Sequence, residues 1–186
     1  MQIIDLLPDN KKAIHQAAGL LVRGFREHWP DAWPDMDAAM NEVQESLSAD
    51  RINRIAIDDN GKVLGWIGGI RQYRGRVWEL HPLVVSPEHQ KTGIGRALVA
   101  DLEERVRERG GITIRLGTDD EDNMTSLAGV DLYPDVYNHI AKIRNMKGHP
   151  YEFYQKLGFV IVGVTPDANG PGKPDILMAK RVGREK

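Results

Sequence analysis

The chain contains no cysteine, which excludes disulfides, thiolate metal sites and a cysteine nucleophile. It has no excess of either charge. With a formal net charge of -2, it offers no electrostatic case for binding nucleic acid, whose partners usually carry a basic patch or stripe. No run approaches the roughly 18 apolar residues of a membrane span, so no membrane association is expected. The opening Met-Gln-Ile-Ile-Asp has neither the basic region nor the apolar stretch of a signal peptide. Six histidines are scattered without ligand spacing, so no metal is expected. Repeats, linkers and low-complexity segments are missing as well. What remains is 186 residues, 41% hydrophobic and 28% charged, the composition of a single domain over residues 1–186 with a cytoplasmic location.

Hydrophobic spacing predicts an α/β order of elements. Gln2 to Leu7 reads as a first strand, and Asn10 as the cap of a helix carrying Ile14, Ala17, Leu21 and Phe25 on one face. A loop with Trp29, Pro30, Trp33 and Pro34 leads to a second helix through Met36, Met40, Val43 and Leu47. Strands Ile52–Ile57 and Val63–Ile70 flank Asp58-Asp59-Asn60-Gly61, a strong hairpin signal. A third strand, about Val77 to Val85, contains Pro82, which cannot donate to a ladder, so a bulge is expected there. Ile94, Leu98, Leu102 and Val106 then line a helix that stops at Gly110-Gly111, before a strand over Ile112–Leu116. This strand–helix–strand unit predicts a parallel pair. In the polar segment Thr118–His149, Leu132, Val136, His139, Ile140 and Ile143 suggest a helix. A short helix Tyr151–Leu157 and strands Phe159–Val164 and Asp175–Val182 complete a mixed, partly open sheet.

The most informative stretch joins the third strand to its helix. Its extended run, Leu80 to Val85, passes a Ser-Pro turn into Gln90-Lys91-Thr92-Gly93-Ile94-Gly95. Free backbone N–H groups at a helix N-terminus favour an anion, and glycine lets them approach a phosphate closely. This names a diphosphate-bearing cofactor as the ligand class. A plain strand-to-helix connection would use similar glycines, and a lone match is weak. No Walker motif is present, and the dinucleotide pattern lacks its third glycine, with Ala97-Leu98 following instead.

Gln-x-x-Gly-x-Gly after Leu-x-Val-x-Pro resembles the acetyl-CoA signature of the GCN5-related N-acetyltransferase (GNAT) superfamily. Trp78–Val85 (WELHPLVV), Gly110–Asp120 (GGITIRLGTDD), His149–Tyr154 (HPYEFY) and Lys173–Ile176 are similar to the aminoglycoside 6'-N-acetyltransferases, in particular the longer enterococcal-type subgroup. The resemblance runs from about residue 52 onward and is weaker before it. At the front the Trp29–Pro34 loop departs in length and carries a second tryptophan, Trp33. The resemblance implies a GNAT fold: a mixed, mostly antiparallel central sheet with a splayed parallel strand pair, flanked by helices. It also implies acetyl-CoA as cosubstrate, an aminoglycoside as small-molecule substrate, and a homodimer.

The same resemblance implies residue roles. Gln90, Lys91, Thr92, Gly93, Ile94, Gly95 and Arg96 would hold the pyrophosphate, and the backbone of Leu83, Val84 and Val85 would pair with the pantetheine arm. A backbone N–H near Leu83 would polarise the thioester carbonyl. Glu79 is a surface carboxylate on the plainest reading. Its place on the cofactor strand makes it a candidate base, one that burial would tune towards neutrality. His81, two residues on, would relay the proton or line the pocket, and a structural histidine fits equally well. Tyr154 is a core aromatic or, as the resemblance implies, a cofactor-binding general acid for the departing thiolate. Asp119 and Asp120 follow a central strand, where α/β folds place ligands, and with Glu79 would hold the ammonium groups of a polycation. Glu121 and Asp122 read equally as a solvated loop. Trp29 and Tyr73 offer flat faces for sugar rings, or ordinary packing.

The function the resemblance implies is acetyl transfer from acetyl-CoA to the 6'-amino group of aminoglycosides, conferring resistance. Another amine as acceptor (a polyamine, a protein lysine or an N-terminus) is the enzyme alternative. A non-catalytic acetyl-CoA sensor is the rival from another class, and the joint presence of Glu79 and Tyr154 counts against it.

Overall fold

Two side chains start the N-terminal helices by the same device. Asn10 accepts the Ala13 N–H at 3.0 Å and opens α1 (Lys11–Phe25), and Asp35 accepts the Ala38 N–H at 2.9 Å and opens α2 (Met36–Ser46). Each cap satisfies a donor that a helix start leaves unpaired, an interaction typically worth about 1 kcal/mol. Asn10 is the cap read from the sequence.

The computed structural model describes residues 1–183. Residues 184–186, the end of the expected single domain, lie outside the described residues. Strands β1 (Gln2–Asp5), β2 (Ile52–Ile57), β3 (Val63–Gln72) and β4 (Val77–Val85) precede α3 (Ile94–Glu108) and β5 (Thr113–Asp119). Helices α4 (Val136–Ala141) and α5 (Tyr151–Lys156) and strands β6 (Val160–Thr165) and β7 (Asp175–Arg181) follow. The sheet order is β1-β2-β3-β4-β5-β7-β6, with β4 and β5 the parallel pair and the remaining neighbours antiparallel. The mixed, mostly antiparallel sheet matches the sequence-based expectation.

The chain divides into two compact units. One spans Met1–Ile114 together with Val182 and Gly183, and the other spans Arg115–Arg181. In the first, α1 packs on β3 and β4, and α1 and α2 pack on each other. Ile14, Ala17, Leu20 and Leu21 of α1 share a buried cluster with Val43, Ile55, Trp66 and Val84. The opposite face belongs to α3, whose Leu98 and Leu102 lie over Gly65 and Gly69 of β3. The apolar stripe read from the sequence, Ile94, Leu98, Leu102 and Val106, is buried as a set.

In the second unit, β6 and β7 form an antiparallel pair. The helix expected over Leu132–Ile143 is a correction. Only the six residues of α4 are helical, after a 3-10 turn at Tyr133–Asp135, and α4 buries none of them. Pro134 fits that turn but not a helix interior. The spacing of apolar residues there does not reflect a buried stripe, because only Leu132 among those singled out is buried.

Candidate active site

The bulge expected at Pro82 organises the first unit's functional residues. Register pairs Ile67 with Leu83 and Gly69 with Leu80, so Gly68 on β3 faces both His81 and Pro82 on β4. The His81–Pro82 peptide is cis. A Cβ at position 68 would lie 2.2 Å from the His81 carbonyl oxygen, a separation that only glycine avoids. The extra residue also reverses the strand's faces, since side chains alternate with period two. Trp78, before the bulge, sits beside Gly69 and Gly111 on the α3 side. Val84, after it, belongs to the α1–α2 cluster. Alternation from Trp78 therefore puts Glu79 on the α1–α2 face together with His81.

On that face the structure gathers acidic and aromatic groups. The Gln72 side-chain amide donates to Glu79 Oε2, across the register pair Ile70–Glu79. His81 Nε2 lies 3.6 Å from Glu42 Oε1 of α2. Hydrogen bonding from His81 holds the Glu42 carboxyl below the usual glutamate range, and although burial opposes this, the charges of His81 and Arg51 and a hydrogen bond from Trp33 add to it. A row of rings leads away from His81: Trp33 at 6.0 Å, Phe25 at 4.7 Å from Trp33, and Trp29 at 5.7 Å from Phe25. Trp29 is thus joined to His81 through packed rings. Tyr73 stands apart, 71% exposed at the β3–β4 turn, where it and Arg74 adopt left-handed backbone angles.

The turn before α3 has the character of an anion cradle. Gln90, Lys91, Thr92 and Gly93 are exposed, with φ 61° at Lys91 and 96° at Gly93. Nothing lies within 4 Å of where a Gly93 Cβ would be, so the left-handed backbone, not crowding, calls for glycine. The α3 N-terminus has no side-chain cap and no acidic residue in its first turn. The amides of Ile94, Gly95 and Arg96 therefore lack the intrahelical partners that later residues have. The Thr92 hydroxyl donates to the His89 carbonyl at 2.6 Å and shapes the loop. Leu83 and Val85 are half-buried and Val84 is buried, their strand paired on one side with β3. These residues suit a diphosphate-bearing ligand.

In the second unit, Asp120 is fully buried. Its two carboxylate oxygens accept the Met124 and Thr125 N–H groups at 2.7 Å each. That geometry makes Asp120 the organiser of the following loop. Asp119 is half-buried and accepts from the Asn169 side chain at 2.5 Å, and Glu121 lies 3.9 Å from Lys173 Nζ. His149 is 1% exposed. Its Nδ1 accepts the Tyr151 N–H at 3.2 Å, which leaves Nε2 as the donor to the Asp119 carbonyl at 3.0 Å. Tyr154 packs against Phe153 and Phe159, and burial pushes its phenol pKa well above the ordinary value. It therefore keeps its proton at neutral pH.

Sequence reasoning did not single out Glu42 or the structural role of His149. Glu42 sits among polar residues on a helix with no periodic cue to its contact. His149 stands inside the HPYEFY string, and only the hydrogen bonds reveal its tautomer. Among the described residues, no group of three or more His, Asp or Glu could hold a metal ion, and no helix is long and apolar enough to cross a membrane.

A glycine-rich anion turn after a bulged strand, on a mixed seven-stranded sheet, defines a class of acyl-group transferases into which this chain falls by direct comparison. Residues 14–132 match the acetyltransferase (GNAT) family, and the chain belongs to that family. It is similar over its full length to a crystal structure of an aminoglycoside 6'-N-acetyltransferase complexed with coenzyme A: 44% identity, TM-score 0.91, covering 100% of this chain and 99% of that one. The aminoglycoside 6'-N-acetyltransferase from Enterococcus faecium matches at 44% identity and TM-score 0.89, with the same coverage. An aminoglycoside 6'-acetyltransferase type Ii matches at 39% identity and TM-score 0.76, covering 100% of both chains. Comparison with curated protein sequences gave no match.

Proposed function

We propose that the protein transfers the acetyl group of acetyl-CoA to the 6'-amino group of aminoglycosides, and so confers resistance to them. The observation that carries this is the full-length similarity at 44% identity to aminoglycoside 6'-N-acetyltransferases, one of them complexed with coenzyme A. The acidic and aromatic face around Glu79 and His81 supports it, because a polycationic sugar is held by carboxylates and flat rings.

Acetyl-CoA supplies an acetyl thioester. The amides of Lys91 to Arg96, with Gln90, bind its pyrophosphate, and the Leu83–Val85 backbone pairs with its pantetheine arm. An ammonium group must lose a proton before it can attack, and Glu79 takes that proton. The Leu83 N–H stabilises the developing oxyanion. As the C–N bond forms and the C–S bond breaks, the Tyr154 phenol donates its proton to the departing thiolate, and the second proton of the attacking nitrogen is released to restore the phenol, directly or through water. Transfer is direct, since the chain has no cysteine to carry an acetyl group. His81, Trp29 and Tyr73 contact the acceptor, with Asp119 adding negative charge and Asp120 ordering the loop that follows β5. The whole chain acts as one acetyltransferase domain, works in the cytoplasm and forms a homodimer. Nucleic acid and membrane play no part.

The test is CoA-thiol release with two matched aminoglycosides, one bearing an amine and the other a hydroxyl at the 6' carbon. Turnover with the amine alone supports the proposal. Turnover with both moves the target to another amine, and turnover with neither rejects an aminoglycoside acceptor.

A further inference from the structure

We propose that Glu42 is a positioning residue that builds the acceptor-binding wall, tying His81 of β4 and Trp33 of the preceding loop to helix α2. This rests on the acceptor-site role proposed above for His81. The Glu42 and His81 side chains are 19% and 42% exposed, with Glu42 Oε1 3.6 Å from His81 Nε2. A carboxylate this sheltered is costly unless it is paired. Glu42 draws its partners from two separate segments, and its lowered pKa, set first by hydrogen bonding from His81 and helped by Trp33, reports both. The charged groups facing it are His81 from β4 and Arg51 from the turn before β2.

The consequence is geometric. With Nε2 engaged by Glu42, Nδ1 is the imidazole nitrogen left for an acceptor. The Trp33 ring stands 6.0 Å from His81 and packs on Phe25, so the imidazole that Glu42 engages is part of the same wall. Neither helix propensity nor core packing asks for an acid at this position: the buried residues of α2 are Ala39, Val43 and Ser46.

Two measurements test the proposal. Steady-state kinetics compare wild type, Glu42→Gln and Glu42→Ala with a 6'-amino aminoglycoside. Losing the Glu42–His81 contact should raise the aminoglycoside KM about tenfold in Glu42→Ala and less in Glu42→Gln, which keeps a side-chain oxygen at that place. The acetyl-CoA KM should stay within about twofold, and so should kcat at saturation. An unmoved aminoglycoside KM, or an equal loss in kcat, would overturn the positioning role. The second measurement needs no turnover. The Glu42 carboxyl carbon, assigned by the loss of its NMR signal in Glu42→Gln, should titrate below the ordinary glutamate range in wild type and return upward in His81→Ala. Identical titration in the two proteins would overturn the tie to His81. Wild type that acetylates no aminoglycoside would reject the functional proposal, and the titration would still decide the contact.

Discussion

A methyl group placed on Gly68 perturbs the junction that sets both faces of β4. The new Cβ would meet the His81 carbonyl oxygen at 2.2 Å, its carbon at 3.1 Å and Pro82 Cδ at 3.3 Å. Ordinary carbon–oxygen contacts begin near 3.3 Å, so the strands must part by about 1 Å. The obstacle is backbone, which has no rotamer to change. Overpacking of this kind costs roughly 1–3 kcal/mol, and a ladder hydrogen bond lost beside it adds about 1 kcal/mol. For a chain of this size each kcal/mol lowers Tm by about 2–4 °C, so Gly68→Ala should melt roughly 5–15 °C below wild type. Gly163→Ala is the control, since its Cβ would meet only Leu177 Cδ1, at an ordinary 3.7 Å. Thermal unfolding followed by circular dichroism compares the three proteins. Should Gly68→Ala and Gly163→Ala melt together near wild type, the bulge is not held as described.

Other expected outcomes concern single side chains. Glu79→Ala should lower kcat by about 10²–10⁴-fold with acetyl-CoA binding intact by calorimetry, whereas equal loss of both would make the residue structural. Tyr154→Phe should slow turnover in correctly folded protein, and unchanged turnover would remove the residue from the mechanism. It also carries a pH signature: the folded phenol keeps its proton where the unfolded one, with a pKa near 10, releases it. The stability from this difference is present below about pH 10 and declines as pH rises further, so wild type should lose more stability than Tyr154→Phe in alkaline melts. Asp120→Asn replaces one of two carboxylate acceptors with a donor facing a backbone N–H. It should cost about 2–3 kcal/mol by urea titration, and a change below roughly 0.5 kcal/mol would contradict the loop-organising role.

Legibility in the sequence followed periodicity and covalent constraint. The α3 stripe from Ile94 to Val106 and the Asp58–Gly61 hairpin were readable because burial repeats at 3.6 or 2 residues. Pro82 announced its bulge because it has no N–H to give. By contrast, residues 120–149 are held by contacts with no period. The Asp120 carboxylate gathers two backbone N–H groups, Asn145 clasps both the N–H and the carbonyl of His149, and Ser126 and Arg144 pair across the loop. Apolar spacing therefore suggested a long helix where only α4 forms. The candidate site shows the same division. Gln90–Arg96 was visible as a string, and Glu79 and His81 as alternating strand positions. Glu42 was invisible, because its contact with His81 depends on the tertiary packing of α2.

Three devices cooperate in the first unit. A glycine-permitted bulge lets Glu79 and His81 before it and Val84 after it share the α1–α2 face, the carboxylate of Glu42 meets His81 there, and an uncapped helix start leaves amides for an anion.

The most direct test of aminoglycoside 6'-N-acetylation is the structure of the product. Incubation of the protein with acetyl-CoA and an aminoglycoside carrying several amines, followed by NMR of the purified product, should show one added acetyl group, on the nitrogen of the 6' carbon. An acetyl group on any other nitrogen, or on oxygen, would contradict the account.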